Sequence, residues 1–428
     1  MTDTTLSTER RRLALVLPWI VWGLGAMLYS YGFFLRVAPS VMVKDLMQAF
    51  AATAVILGNL SAFYFYTYGA LQLPLGVLLD RWGARRLLTG SAVIAAVGAV
   101  LFGAATTIEI AYAGRLLIGA GVAVALIGTM KLIMVWHPPG RFATVAGMTT
   151  FVGTMGALIG QAPLASLVEA AGWRATMLWG GGFGVLLAAL IWLIVRDHVG
   201  APPAATGANA LSMRAALKRV LKNDQTWVLA IYSGFLGGTI IAFAGLWGVP
   251  YAMVAYGLER PAAAALMSVV FVGFALGAPS AGFISDRLGR RKAPMYAGPL
   301  LNLASWAVIL GWPDAPKALL YPALVANGIG SGFVMVVFAL GREHNPPHYS
   351  GTVVGFLNAL GMGSVALLQP LTGLFLDLLW DGALQDGVRV YTAADFRQAF
   401  LLYPACTAIA FAMCFLARES HNRQLVHA

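Results

Sequence analysis

The chain has 428 residues, of which 59% are hydrophobic and only 11% charged, and its formal net charge is +11. Soluble globular domains carry about 25% charged residues, so the composition excludes an ordinary water-soluble enzyme, and so much apolar surface excludes a disordered chain. A membrane-spanning helix takes about 20 apolar residues, so twelve would take about 240 and leave chain for short loops and one linker.

In chain order, Met1 to Arg12 is polar and ends in Arg10-Arg11-Arg12. The apolar run behind it is too long for the core of a signal peptide and lacks a clear cleavage site, so it reads as a retained first span. Twelve apolar segments follow one another. They start near Leu13, Ala54, Leu87, Ile110, Ala143 and Ala175, and then near Trp227, Ala263, Pro294, Ala318, Gly351 and Gln398. Backbone in hydrocarbon must satisfy its own hydrogen bonds, so each reads as a helix. The expected fold is an all-α integral membrane protein with twelve transmembrane helices in two pseudo-symmetric six-helix bundles, residues 1–197 and 226–428. Residues 198–225 form the linker, rich in Pro, Gly and Ala and then basic. Met213, Leu217, Val220 and Leu221 share one helical face there, and Arg214, Lys218 and Lys222 another, the pattern of a short helix on a membrane surface. Cys406 and Cys414 lie eight apart on the last segment. That is about 12 Å along a helix, too far for a disulfide, and no residue set suits a metal or a cofactor.

Lys and Arg give the orientation. With both termini on one side, that side carries nineteen of the 28 and the other carries six, while Arg36, Arg115 and Lys131 fall within spans. The positive-inside rule places both termini and the linker in the cytoplasm, and the expected location is the cell (inner) membrane. This skew accounts for the net charge without nucleic acid as a partner.

The two halves repeat each other. Gly76-Val-Leu-Leu-Asp80-Arg81-Trp-Gly83-Ala-Arg85-Arg86 follows the second segment, and Gly282-Phe-Ile-Ser-Asp286-Arg287-Leu-Gly289-Arg-Arg291-Lys292 follows the eighth, 206 residues later. Pro138-Pro139 to Gly147 matches Pro346-Pro347 to Gly355 at an offset of 208, and Gln161 and Gln369 continue that register. Duplicated six-helix halves are the scaffold of secondary transporters, whose substrate site lies near mid-membrane between the halves.

These doubled loops resemble the signature of the major facilitator superfamily, and Arg115-x-x-x-Gly119 resembles its second motif. The resemblance spans essentially the whole chain. It implies that Gly76, Asp80, Arg81, Gly83, Arg115, Asp286, Arg287 and Gly289 serve gating, with Asp80 and Asp286 latching onto the starts of helices 11 and 5. Independently of the family, Gly83 and Gly289 suit a tight turn, and a carboxylate at a helix end suits the positive start of a neighbouring helix. Tyr31-Gly-Phe-Phe-Leu-Arg36-Val-Ala-Pro-Ser, then Phe50, and Tyr68-Gly-Ala-Leu-Gln72-Leu-Pro74 resemble the anion:cation symporter and organophosphate antiporter branches. There the arginine holds the substrate's carboxylate or phosphate. The sequence departs from the symporter pattern in having Leu35 and Val122 where acidic residues are common.

A charged side chain within hydrocarbon costs at least about 2.5 kcal/mol and faces a cavity or a partner. The planar fork of Arg36 suits a carboxylate or phosphate, against the alternative of snorkelling to the outer interface. Lys131 attracts anions at the inner mouth or snorkels to the inner surface. Arg115 satisfies carbonyls of a neighbouring helix. Tyr68 and Gln72 share a helical face with Tyr64 one turn earlier. Tyr31, Trp247 and Asn358 complete the candidate substrate contacts, with Tyr251 and Asn327 as further polar candidates. Gly156 and Gly160 suit close helix packing. The acidic residues fall in loops or at helix ends and all six histidines on the cytoplasmic side, which leaves the spans without a proton carrier. The reading is a monomeric secondary transporter for a small organic anion, a carboxylate, working by exchange or facilitated diffusion ahead of proton symport. A multidrug or siderophore exporter and a non-transporting sensor of the same fold are the alternatives.

Overall fold

The structure, a computed structural model, describes residues 2–197, 213–312 and 315–426. The side chains of residues 2–15, Gly76, Asp80, Arg214 and a few others lie outside the description. Ten helical stretches are long and apolar enough to cross a bilayer, and eleven when the bent pair Val43–Phe50 and Ala54–Gln72 counts as one. The stretch Thr144–Ile194 has 51 residues. That is about 76 Å of helix, more than twice a hydrocarbon core, and it breaks at Gly172, where φ is 80°. The described residues thus hold twelve spans.

Span 1 lies in Thr2–Val37. Its helix runs on through the polar residues ahead of Leu13, because charge ends a membrane segment without ending a helix. Spans 2 and 3 share Ala54–Gly103, broken at Gly83, where φ is 78° and ψ is 163°. Span 4 is Ile108–Val122 with Ala125–Trp136. Span 5 is Phe142–Ile159 and the start of Ala162–Ile194, and span 6 is the rest of that helix. Met213–Leu221 is the linker helix. Span 7 joins Asp224–Ala242, a π turn at Phe243–Trp247, and Gly248–Tyr256. Spans 8 and 9 are Arg260–Leu288 and Lys292–Gly311. Span 10 is Lys317–Gly332 with Val336–Glu343, and span 11 is Ser350–Leu379. Span 12 starts five residues before the expected Gln398, because Thr392 and Asp395 form a capping box ahead of Ala393–Phe400, and it ends with Leu402–Leu416.

Small residues set the close crossings. A β-carbon on Gly119 would strike the Tyr64 carbonyl of span 2, and one on Gly156 the Ser30 carbonyl of span 1. Gly58 of span 2 meets the Gln369 carbonyl of span 11, at 2.5 Å from such a carbon. Large apolar side chains such as Leu186, Leu193, Phe283, Leu367, Leu378 and Phe415 stay exposed on the outer surface. A belt of that size belongs against lipid rather than water.

Hydrogen bonds and ion pairs between the halves cluster at the end away from the Lys/Arg-rich loops. Asp377, near the end of span 11, accepts from the N–H groups of Ala54 and Val55, at 3.2 and 2.9 Å, at the start of span 2. Tyr391 and Arg389 hold the same carboxylate at 2.6 and 3.0 Å. Arg389 arrives on a two-residue hairpin, Leu384–Gln385 paired with Val388–Arg389, whose turn residues Asp386 and Gly387 both have positive φ, as such turns require. Arg260 pairs with Asp45 at 2.9 Å. The Gln161 side chain donates to the Ala244 carbonyl at 3.0 Å, within the π turn of span 7. The molecule is therefore closed at this end.

Candidate functional site

Arg36 sits in the last turn of its helix and is 5% exposed. Helical side chains lean toward the N-terminus of their helix, which here carries the guanidinium back from the closed end. Its Nε donates to the Tyr64 hydroxyl at 3.2 Å. The guanidinium carbon lies 4.4, 5.4 and 5.2 Å from the ring centres of Phe33, Tyr64 and Tyr68, distances at which a cation is attracted by the ring faces. Tyr29 extends the box, 5.0 Å from the Phe33 ring. Tyr64 and Tyr68 stand 10 and 14 residues beyond Ala54, about 15 and 21 Å along a helix. The span reaches about 42 Å at Trp82, so the guanidinium lies near mid-membrane and does not snorkel outward. Among the described residues no carboxylate pairs with Arg36, and the hydrogen bonds leave its two Nη groups open.

Arg115 is the contrasting case. It is 1% exposed, and its Nη1 and Nη2 donate to the Leu35 and Ser61 carbonyls at 2.8 and 3.3 Å. Its two Nη groups tie span 4 to spans 1 and 2, while its Nε is buried without a partner. Gln72 is also committed: its Nε2 donates at 3.3 Å to the Ala123 carbonyl, freed by the break in span 4 between Val122 and Ala125.

The remaining sequence candidates separate. Tyr31 turns away from the box, its hydroxyl donating to the Gly180 carbonyl at 2.9 Å and its ring edge-on to Phe183, so it packs spans 1 and 6. Lys131 is half-buried and engaged within the structure. It lies eight residues beyond Ala123, about 12 Å further along span 4, and the structure does not bring it to Arg36. Trp247 is buried, with Nε1 donating to the Gln369 carbonyl at 3.0 Å, and so braces span 7 against span 11. Asn358 is half-buried, next to Ala359, whose carbonyl approaches Gly69, at the level of Tyr68 on the opposite half. Tyr251 donates to the Ile309 carbonyl at 3.4 Å. Asn327 is fully buried in a network with Asn302, Ser305, Ser331 and Thr407.

In the loop motifs, Gly83 and Gly289 take the left-handed φ that glycine allows. Arg81 and Arg287 are exposed. The latch expected at Asp80 lies outside the described side chains. Asp286 is held by Arg291 of its own loop at 2.7 Å, and Arg291 also reaches Glu343 at 2.7 Å. Two acids that the sequence does not single out anchor these loops. Asp197, at the end of span 6, accepts from the Arg85 N–H at 2.8 Å. Glu419, just past span 12, accepts from the Arg291 and Lys292 N–H groups at 2.8 and 2.9 Å. Arg85 and Arg291 are 206 apart, so the two anchors are pseudo-symmetric, although they lie more than a hundred residues from the loops they hold.

Burial pushes the Glu419 carboxyl up, but backbone donors from Lys292, Arg291, His421 and Ser420 outweigh it and hold the pKa below its ordinary value. A carboxylate depressed in the fold contributes stability above its unfolded pKa and loses it as pH falls through the folded one. Glu419→Gln should therefore melt below wild type at pH 7, and the gap should start to narrow as the pH falls below the ordinary glutamate value of about 4.3. A thermal-unfolding series in detergent whose gap does not narrow on acidification would contradict this anchor.

The Major Facilitator Superfamily model matches residues 22–370. The chain is 25% identical over 358 residues to the nitrite extrusion protein of Bacillus subtilis (strain 168), covering 82% of each. It is 22% identical over 370 residues to the D-galactonate transporter of Escherichia coli O6:H1, covering 78% of this chain and 83% of that one. The crystal structure of a bacterial homolog of the human lysosomal transporter Spinster, inward-facing and unoccupied, superposes with a TM-score of 0.76 at 18% identity, covering 95% and 97%. At that identity the likeness is one of fold. The chain is a multi-pass membrane transporter, not an enzyme, and belongs to the Major Facilitator Superfamily.

Proposed function

We propose that the protein moves a small organic anion, of the carboxylate class, across the bacterial inner membrane by alternating access between its two halves. The observation that carries this is Arg36, a mid-membrane guanidinium in an aromatic box, with both Nη groups open and no carboxylate partner among the described residues. A buried cation without a counter-charge is costly, and an anionic substrate supplies it. The relatives carry anions by name, nitrite and D-galactonate. Tyr68 lines the approach with Tyr64, and Asn358 faces it from the second half. Arg115 and Gln72 hold the shape of the site. Lys131 gathers anions nearer the inner mouth.

Away from their ends, the spans of the second half carry no Lys, Arg, His, Asp or Glu, and those of the first half carry no acid. The site thus has no group to carry a proton, which favours exchange or facilitated diffusion over proton symport. The protein works as a single chain, with both termini and the linker in the cytoplasm by the skew of Lys and Arg. In this orientation the closed end is periplasmic.

A thermal-shift panel of carboxylates, nitrite and phosphate esters, with nucleosides as neutral controls, tests the substrate class. Stabilisation by an anion that vanishes in Arg36→Ala supports it. Stabilisation by neutral compounds alone would overturn it. Asp80 acts as the latch of the inner gate against the start of span 11, so Asp80→Asn should fold normally, slow transport severalfold and raise labelling from the cytoplasmic side. Unchanged uptake and labelling would remove that role.

A further inference from the structure

The Lys/Arg-rich face holds a cavity that the transport site does not use. It measures about 270 Å³ and is lined by Arg219, Lys222, Asn223, His344, Asn345, Pro346 and Val426. Three separate segments form it: the end of the linker helix, the end of span 10 and the C-terminal tail. Asn223 donates to the His344 carbonyl at 2.7 Å and to Asn345 Oδ1 at 3.2 Å. The tail is tied down by Leu425 N–H on the Glu343 carbonyl at 2.9 Å, and by Gln424 on the Asn345 carbonyl at 2.6 Å and the Arg342 carbonyl at 3.2 Å. The carbonyls that end span 10 are therefore spent, and their negative helix end is masked by donors.

What remains around the cavity is cationic. Among the described residues no carboxylate lines it, and none pairs with Arg219 or Lys222. Asp224 is exposed outside it, and Glu343 is taken by Arg291 and Ser420. A neighbouring cavity on this face, lined by Arg290 and Lys292, differs in having Glu419 in its wall. His344 supplies an independent sign of a ligand. It is 5% exposed, its Nδ1 is bonded to the Leu340 carbonyl at 2.9 Å, and its buried Nε2 has no partner. Buried polar groups are ordinarily satisfied.

The cavity lies at the level of the lipid headgroups. Val220 of the linker helix is fully buried against the second half, while Trp227 is 43% exposed with its Nε1 on the Leu221 carbonyl at 2.9 Å. An exposed tryptophan at a span end marks the membrane interface.

We propose that this cavity binds a phosphate-bearing anion, and that its source is the headgroup of an anionic membrane lipid. Arg219 and Lys222 take the phosphate oxygens, and His344 closes the cavity's inner wall. The bound group then pins the linker helix and the tail to span 10.

The test uses the full-length protein in nanodiscs of phosphatidylcholine, with or without phosphatidylglycerol, and separately with inorganic phosphate added. Native mass spectrometry reads retained lipid, and thermal unfolding reads stabilisation. Wild type should retain phosphatidylglycerol, and the exposed pair R219Q/K222Q should retain about tenfold less, as loss of two charge-assisted bonds implies. His344→Gln should retain less than wild type. The control R86Q/R141Q, which removes two exposed charges from the same face of the first half, should bind as wild type does. Stabilisation of wild type by inorganic phosphate alone, absent in R219Q/K222Q, supports the site and overturns the lipid as its source. Equal retention and equal stabilisation in wild type and R219Q/K222Q would overturn the site.

Discussion

Arg36→Ala abolishes substrate binding while leaving the empty protein at least as stable as wild type. The two halves of this expectation have one cause. The guanidinium is buried and meets only the Tyr64 hydroxyl and aromatic faces, so it gains little from the empty protein and much from an anion. Breaking a buried, hydrogen-bonded charge pair costs about 2–5 kcal/mol, which is a loss in affinity of roughly thirtyfold to several thousandfold. Arg36→Lys recovers little of it, because a point charge replaces a fork that fits both oxygens of a carboxylate. Arg115 behaves oppositely. Its Nη groups satisfy the Leu35 and Ser61 carbonyls, so Arg115→Ala should lower the thermal midpoint of the empty protein. Isothermal binding and thermal unfolding on both variants check the pair. A stable Arg115→Ala beside a destabilised Arg36→Ala would reverse the roles assigned to them.

Asp377→Ala opens the closed end. Its carboxylate accepts from two N–H groups at the start of span 2, where the positive helix end adds to the attraction, and both bonds cross between the halves. Hydrogen bonds to a charged acceptor contribute about 1.5–3 kcal/mol each when well buried, and this one, on a partly accessible rim, contributes less. A shift of about 1.4–2.8 kcal/mol moves the balance between closed and open outer ends ten- to a hundredfold. Val41→Cys, at a position 2% exposed within the closed end, reports it in a background with Cys406 and Cys414, both buried, replaced by serine. The labelling rate from the outer side should rise at least about tenfold in Asp377→Ala. An unchanged rate would mean that apolar packing between spans 2 and 11 closes this end without the carboxylate.

Apolar length and the doubled loops make the twelve spans legible in the sequence, since the bilayer dictates the first and the loop motif recurs 206 residues later. Arg36, Tyr64 and Tyr68 are legible as a group because arginine in hydrocarbon is costly and the tyrosines share a helical face. Tyr29 and Phe33 carry a weaker signal, their spacing of seven and three residues before Arg36, which places them on the same side of the helix. Tyr31 is misleading, because an aromatic close in sequence to the arginine points instead at the Gly180 carbonyl. Asp197, Glu419 and Asp377 cannot be assigned partners from sequence. The donors that tie them to other spans are backbone N–H groups more than a hundred residues away, which carry no residue-type signal.

The most direct test of the account is counterflow in proteoliposomes of the purified protein, with nitrite and D-galactonate as the first probes and other monocarboxylates behind them. Liposomes loaded with unlabelled anion should accumulate the labelled anion when no pH gradient is imposed, and Arg36→Ala should abolish that accumulation. Accumulation driven by a pH gradient alone, with none under an anion counter-gradient, or uptake by Arg36→Ala equal to wild type, would contradict it.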